Sequence, residues 1–171
     1  MEGSNIQGEN ILSIKRIATY TILSTLVLTG VTNIDTGVTN FSKHEAHAAA
    51  IDNYPRPITT AQTNYHWNNN CTWYVHNKRN QTKRYLPSSF TDAKNWLGEA
   101  QNAGFSTGGK PVAGAILQTS KGGGGLGHVA FVEKVNANGS IQISEYNYNV
   151  SLGYGTRTLT KAQAATYNYI Y

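Results

Sequence analysis

Cys71 is the one cysteine among 171 residues. A solitary cysteine cannot close an intramolecular disulfide, so its thiol is a buried filler, an intermolecular link or a reactive group. It also excludes a thiolate zinc cluster, which needs several such ligands. Asn68-Asn69-Asn70 ahead of it are helix-capping types, and Lys78-Arg79 follow where cations favour the C-terminal end of a helix. The spacing predicts a helix with Cys71 in its first turn, a place that lowers a thiol's pKa.

A base for such a thiol comes from a hairpin. His128 opens an apolar run to Val135, a second run covers Ser140 to Asn147, and Asn136-Ala137-Asn138-Gly139 joins them. A two-residue Asn138-Gly139 turn or a four-residue loop pairs even positions with odd ones. His128, Ala130 and Val132 then share a face with Glu145 and Asn147. The four-residue register sets His128 opposite Asn147 and diagonal to Glu145, within reach of a carboxylate-to-imidazole hydrogen bond. The two-residue register leaves Glu145 too far without a bend, and a three-residue loop would separate the faces altogether. With the thiol-bearing helix docked against that face, Cys71 is the nucleophile, His128 the base, Glu145 the orienting carboxylate and Asn147 a neutral dipole for imidazole or substrate. This is the constellation of a cysteine hydrolase.

The positioning elements read as α+β, N-terminal helices followed by a twisted antiparallel sheet. A second helix is expected from Thr91 or Asp92 through Ala103, ended by Gly104, with Ala93, Trp96, Leu97 and Ala100 on its core face. Strands are expected at Ala113–Gln118, His128–Val135, Ser140–Asn147, Thr156–Leu159 and Tyr167–Tyr171. Upstream, Lys15-Arg16, the apolar run from Ile17 to Val31 and the small-x-small site Ala46-His47-Ala48 predict a signal peptide over 1–48, cut after Ala48, with an uncleaved anchor as the alternative. Residues 49–63, with Pro55 and Pro57, form a short leader, and 64–171 a single domain without repeats.

Four segments in order, Asn70-Cys71-Thr72-Trp73-Tyr74-Val75, Pro111-Val112-Ala113-Gly114-Ala115-Ile116, Gly127-His128-Val129-Ala130-Phe131-Val132-Glu133 and Ser144-Glu145-Tyr146-Asn147-Tyr148, resemble the CHAP family, the cysteine- and histidine-dependent amidohydrolases/peptidases. With Tyr167-Asn168-Tyr169-Ile170 the stretch from Asn64 to Tyr171 is similar to the staphylococcal secretory antigen A type of that family. The resemblance implies a papain-like fold and cleavage of peptidoglycan, at the N-acetylmuramoyl-L-alanine bond or within the peptide stem or cross-bridge. It maps Cys71, His128, Glu145 and Asn147 to the catalytic positions. Asn70 stands where the family usually has Gln, an oxyanion helper, and Ser89-Phe90 where it usually has Trp-Gly. Some relatives bind calcium through an Asp-rich loop before the cysteine; Asp52 alone lies there, so no metal and no cofactor is expected.

Asn70, Trp73, Gly127 and Tyr146 are the candidate oxyanion and substrate residues. Trp67 and Tyr148 are further candidates for a sugar-peptide groove, while core packing suits Trp73 better. His66 and His76 read as structural, His76 lying about 140° round the helix from Cys71. Gly122–Gly125 is not a phosphate loop and reads as a flap near His128 or as linker. The net charge of +5 suits anionic wall polymers. The basic cluster Lys78, Arg79, Lys83 and Arg84 comes with no nucleic-acid fold signature. The expectation is a secreted monomer, extracellular or wall-associated and without stable membrane insertion once cleaved. The contrasting classes are a wall-binding or antigenic module of low activity and an amidohydrolase of non-wall amides.

Overall fold

The structure is a computed structural model that describes residues 51–171; the expected signal peptide lies outside them. Among the described residues no helix is long and apolar enough to cross a membrane. The chain forms helix α1 (Cys71–Gln81), a 3-10 turn (Ala93–Asn95) running into α2 (Trp96–Asn102), and a short α3 (Lys161–Ala164). Its strands are β1 (Thr107–Gly108), β2 (Ile116–Thr119), β3 (His128–Val135), β4 (Ile141–Tyr146), β5 (Tyr154–Leu159) and β6 (Asn168–Ile170). They form one antiparallel sheet in the order β1-β6-β2-β3-β4-β5. The α+β expectation holds, with helix α2 starting later than its periodicity suggested. Gly104, at φ +85°, ends it: Phe105 N–H returns to the Ala100 carbonyl and Gly104 N–H to that of Gln101.

Strand β3 is central, and His128 to Val132 are all buried because both faces are covered. On one face Val129, Ile116 and Ile170 pack with Val75 of α1 and Trp96 and Ala100 of α2. On the other Ala130, Val132, Leu117, Ile143 and Tyr169 pack with Ile51, Leu159 and Ala164. Helix α1 is thus fixed on the first face: Tyr74 donates to Ser144 Oγ (2.7 Å), and Lys78 pairs with Glu133 (2.7 Å). At its far end buried Arg79 donates to main-chain oxygens of Arg84, Gly114 and Tyr171, tying the helix to the end of the sheet.

The hairpin differs from expectation in an instructive way. Asn136 N–H bonds the Ser140 carbonyl (2.8 Å), and Gly139 takes φ +82° between them, so three residues make the loop. Propagated regularly, that register would put Glu145 and His128 on opposite faces. It does not propagate. Lys134 pairs with Gln142 but Val132 with Ile143, leaving Glu133 as an extra residue in β3. This β-bulge shifts the pairing by one residue and returns His128 and Glu145 to one face.

Candidate active site

His128 begins β3 because Gly127 lets it. Gly127 has φ +83°, and a Cβ there would lie 2.5 Å from Lys94 N, 2.7 Å from Thr119 O and 2.8 Å from Lys94 Cα, all backbone atoms. Lys94 N–H bonds the Leu126 carbonyl (2.9 Å) beside it, and buried Gln118 donates to the Ala93 carbonyl (2.9 Å). These contacts hold the 93–95 turn against the start of β3 and so build one wall of a groove. Gly127 was a candidate oxyanion residue, but its N–H is committed to the Gly122 carbonyl (3.1 Å). Its part is the close approach of two backbones.

The helix carrying Cys71 does not dock on the face that His128 and Glu145 share. It packs on the opposite one, against Val129 and Ser144, and its N-terminus reaches past the end of the sheet to meet His128 there. Asn70 is the N-cap residue, yet its side chain makes no capping bond. The first-turn N–H groups are therefore left for other acceptors. Burial raises the Cys71 pKa, but hydrogen bonding and charge from His128, with the Val129 and Thr72 N–H groups, outweigh it and leave the thiol below its ordinary value.

Buried His128 places Nε2 2.8 Å from Glu145 Oε2, with both side chains essentially inaccessible. The remaining nitrogen, Nδ1, is the one free to serve Cys71. Burial opposes the imidazolium, but Cys71 and Glu145 together raise the His128 pKa. Burial likewise opposes the Glu145 carboxylate, and bonds from His128 and Arg157 bring its pKa below the usual range. The arrangement is a thiol, an imidazole and an anchored carboxylate in series, able to rest as a thiolate–imidazolium pair.

Asn147 stands just past β4 at φ +51° and does not bond the imidazole, whose nitrogens are taken up by Glu145 and Cys71. Its amide donates to Asn70 Oδ1 (2.9 Å), and its own Oδ1 accepts from Leu152 N–H. Asn147 therefore orients Asn70 by occupying its Oδ1, which leaves the Asn70 NH2 group as a donor. Both asparagines line the groove. Trp73 and Tyr146 do not: they meet edge to face at 5.8 Å. Trp73 is two residues and about 200° round the helix from Cys71. Tyr146 alternates with Glu145 and so faces α1.

The groove has a volume of about 990 Å³ and runs past Cys71 and His128. Tyr65 and Trp67 stand exposed on one rim, Thr91, Asp92 and Asn95 form a wall, and Leu126 and Tyr148 border the histidine. His66, set aside in the sequence as structural, also lines it; His76 is fully buried and does not. The Tyr148 ring lies parallel on His128, centroids 3.9 Å apart. Phe90, from the segment that departs from the family pattern, is a core residue against Trp96 and Phe105. The sequence reading missed Arg157, whose guanidinium forks onto Glu145. A signal existed: Gly155 and Leu159 are buried in β5, so Arg157 sits on the inward face of an alternating strand.

Comparisons with known proteins place the chain in a family. The CHAP domain model matches residues 60–147. The chain is 38% identical over 135 residues to the staphylococcal secretory antigen SsaA of Staphylococcus epidermidis, covering 78% of this chain and 49% of that protein. It is 43% identical over 119 residues to the N-acetylmuramoyl-L-alanine amidase sle1 of Staphylococcus saprophyticus, covering 69% of this chain and 36% of that one. Among solved structures, an N-acetylmuramoyl-L-alanine amidase from Staphylococcus aureus superposes with a TM-score of 0.55 at 37% identity, covering 60% of this chain and 30% of that one. The chain thus spans about half or less of the length of these relatives. With the domain model matched over more than half of its residues and the same fold in a solved relative, the chain belongs to the CHAP domain family.

Proposed function

We propose that this chain is a cysteine hydrolase of peptidoglycan, cleaving an amide bond through a thioester on Cys71. The observation that carries the reading is the thiol at the start of α1 beside His128, both opening on one groove, with the far nitrogen of His128 anchored 2.8 Å from buried Glu145. The similarity to two N-acetylmuramoyl-L-alanine amidases supplies the substrate class.

In this mechanism the Cys71 thiolate adds to the amide carbonyl carbon. The oxyanion is met by first-turn N–H groups of α1 and the amide of Asn70. His128 passes its proton to the leaving amine, the C–N bond breaks and the acyl group stays on sulfur. Water, deprotonated by His128, then releases the acid and restores the thiol. Glu145 keeps the imidazole in the tautomer that aims Nδ1 at sulfur. Exposed Trp67 and Tyr65 suit the faces of sugar rings or peptide, and Asp92 a cationic group on the stem or bridge.

The reading includes removal of 1–48 as a signal peptide, a leader over 49–63 and a catalytic domain over 64–171 acting in or near the wall. The test is clearing of a suspension of purified wall by wild type and Cys71→Ala. Clearing lost in the variant supports the hydrolase. Wall binding without clearing by either protein refutes it in favour of a binding module, and turnover of small acyl amides with wall left intact refutes the substrate class.

A further inference from the structure

We infer that Arg157 is a positioning residue for this chemistry, clamping the Glu145 carboxylate against His128 so that the imidazolium and its thiolate partner persist. The inference rests on the hydrolase reading for its purpose, but not for its test.

The geometry is specific. Glu145 is wholly buried and accepts three bonds: His128 Nε2 to Oε2 at 2.8 Å, Arg157 Nε to Oε1 at 2.7 Å and Arg157 Nη2 to Oε2 at 2.8 Å. The two bonds from Arg157 form a fork that fixes the carboxylate plane as one contact cannot. Sheet register makes this possible. Glu145 pairs with Gly155, which offers no side chain, and Arg157 reaches across diagonally from two positions further along β5. Arg157 is only 23% exposed, so water screens the pair weakly.

A carboxylate buried with imidazole alone has a neutral alternative, in which the proton moves to oxygen and the histidine loses its charge. Arg157 removes that alternative by supplying a permanent cation on the far side. The same ring covers both ends of the relay: Tyr148 stacks on His128 at 3.9 Å and lies 5.0 Å from the Arg157 guanidinium. The charged and titratable groups facing the relay are Cys71 from α1, His128 from β3, Arg157 from β5, Tyr148 from the loop after β4, and Tyr167 ahead of β6, which contacts Arg157. No second carboxylate appears among these groups to replace Glu145.

A strand-to-strand ion pair with no catalytic part would change thermal stability and leave the thiol's titration alone. The test is therefore the rate of Cys71 alkylation by iodoacetamide from pH 4 to 9 on the purified chain, for wild type, Arg157→Gln and Arg157→Lys, with near-ultraviolet circular dichroism to verify folding. In wild type the reactive form appears well below the pH at which a free thiol ionises. In Arg157→Gln the profile moves up by about one pH unit, so alkylation on the acid side of the wild-type midpoint falls about tenfold. Arg157→Lys, which keeps the charge but not the fork, falls between them. A folded Arg157→Gln with the wild-type profile overturns the inference. If Arg157→Gln does not fold, an unmoved profile in Arg157→Lys overturns it instead. The readout needs no substrate: intact wall beside a low-titrating wild-type thiol refutes the hydrolase reading alone, whereas superimposed profiles refute the Arg157 role alone.

Discussion

Replacing Gly127 by alanine puts one methyl group where the account says none fits. The added Cβ would meet three backbone atoms at 2.5 to 2.8 Å, and ordinary contact needs about 3.4 Å, so the 93–95 turn and the start of β3 must separate by up to about 0.9 Å. Neither side is a flexible side chain that could swing away. The positive φ costs roughly 1–2 kcal/mol for an L-residue. Loss of the Lys94-to-Leu126 bond adds about 1 kcal/mol. A destabilisation of about 3 kcal/mol is expected from denaturant unfolding. The displaced residue next in line is His128, and a catalytic group misplaced by about 1 Å costs on the order of 100-fold in rate. Wall hydrolysis should therefore fall by about that factor even at temperatures where Gly127→Ala is fully folded, and iodoacetamide should react with Cys71 more slowly at pH 6. A variant that unfolds at the wild-type denaturant midpoint and keeps half its rate would refute the argument that this backbone contact sets the position of the histidine.

Trp67 is exposed at 84% on the rim of the groove; Trp67→Ala should raise KM for wall fragments roughly 3–10-fold through lost stacking, with the alkylation profile of Cys71 unmoved. His66, with its Nε2 buried and without a hydrogen-bond partner among the described residues, has its pKa lowered by burial and by His76 to about 4. Its folded value lies below the unfolded one, so its contribution to stability is complete above about pH 6.5 and is lost as pH falls toward 4; the melting temperature should drop across that window, and less steeply in His66→Gln. Arg79 is fully buried, and burial pushes its pKa down to about 9. Arg79→Met should cost on the order of 3 kcal/mol in denaturant unfolding, because three main-chain oxygens lose their donor.

Much of the site was legible because its parts obey short-range rules. Cys71 in the first turn of a helix follows from capping types and charge placement, and His128 and Glu145 on one face follow from the period of two. The hairpin shows how far such rules reach: the three-residue loop by itself predicts separation, and the bulge at Glu133 cancels it. Nothing local marks Glu133 as the extra residue; its pairing with Lys78 and Ser144 is a tertiary contact. The docking face of α1 was misjudged for a related reason, since a thiol at a helix end can meet a side chain at the end of a central strand without the helix lying on the reactive face. Helix α3 was missed although Thr160 and Gln163 form a capping box that is readable as Thr-x-x-Gln. Trp73 and Tyr146 drew attention as aromatics near the catalytic segments, but helical phase and strand parity direct both away from the groove.

The central claim is that a Cys71 thiolate cuts an amide bond of peptidoglycan. Mass spectrometry of the soluble fragments released from purified peptidoglycan by the wild-type chain and by Cys71→Ala tests it most directly. New amino termini, or lactyl carboxylates freed of peptide, are expected with wild type alone, and the fragment masses would name the bond. Equal release by both proteins, or no fragments from a folded wild type whose thiol alkylates at low pH, would contradict it.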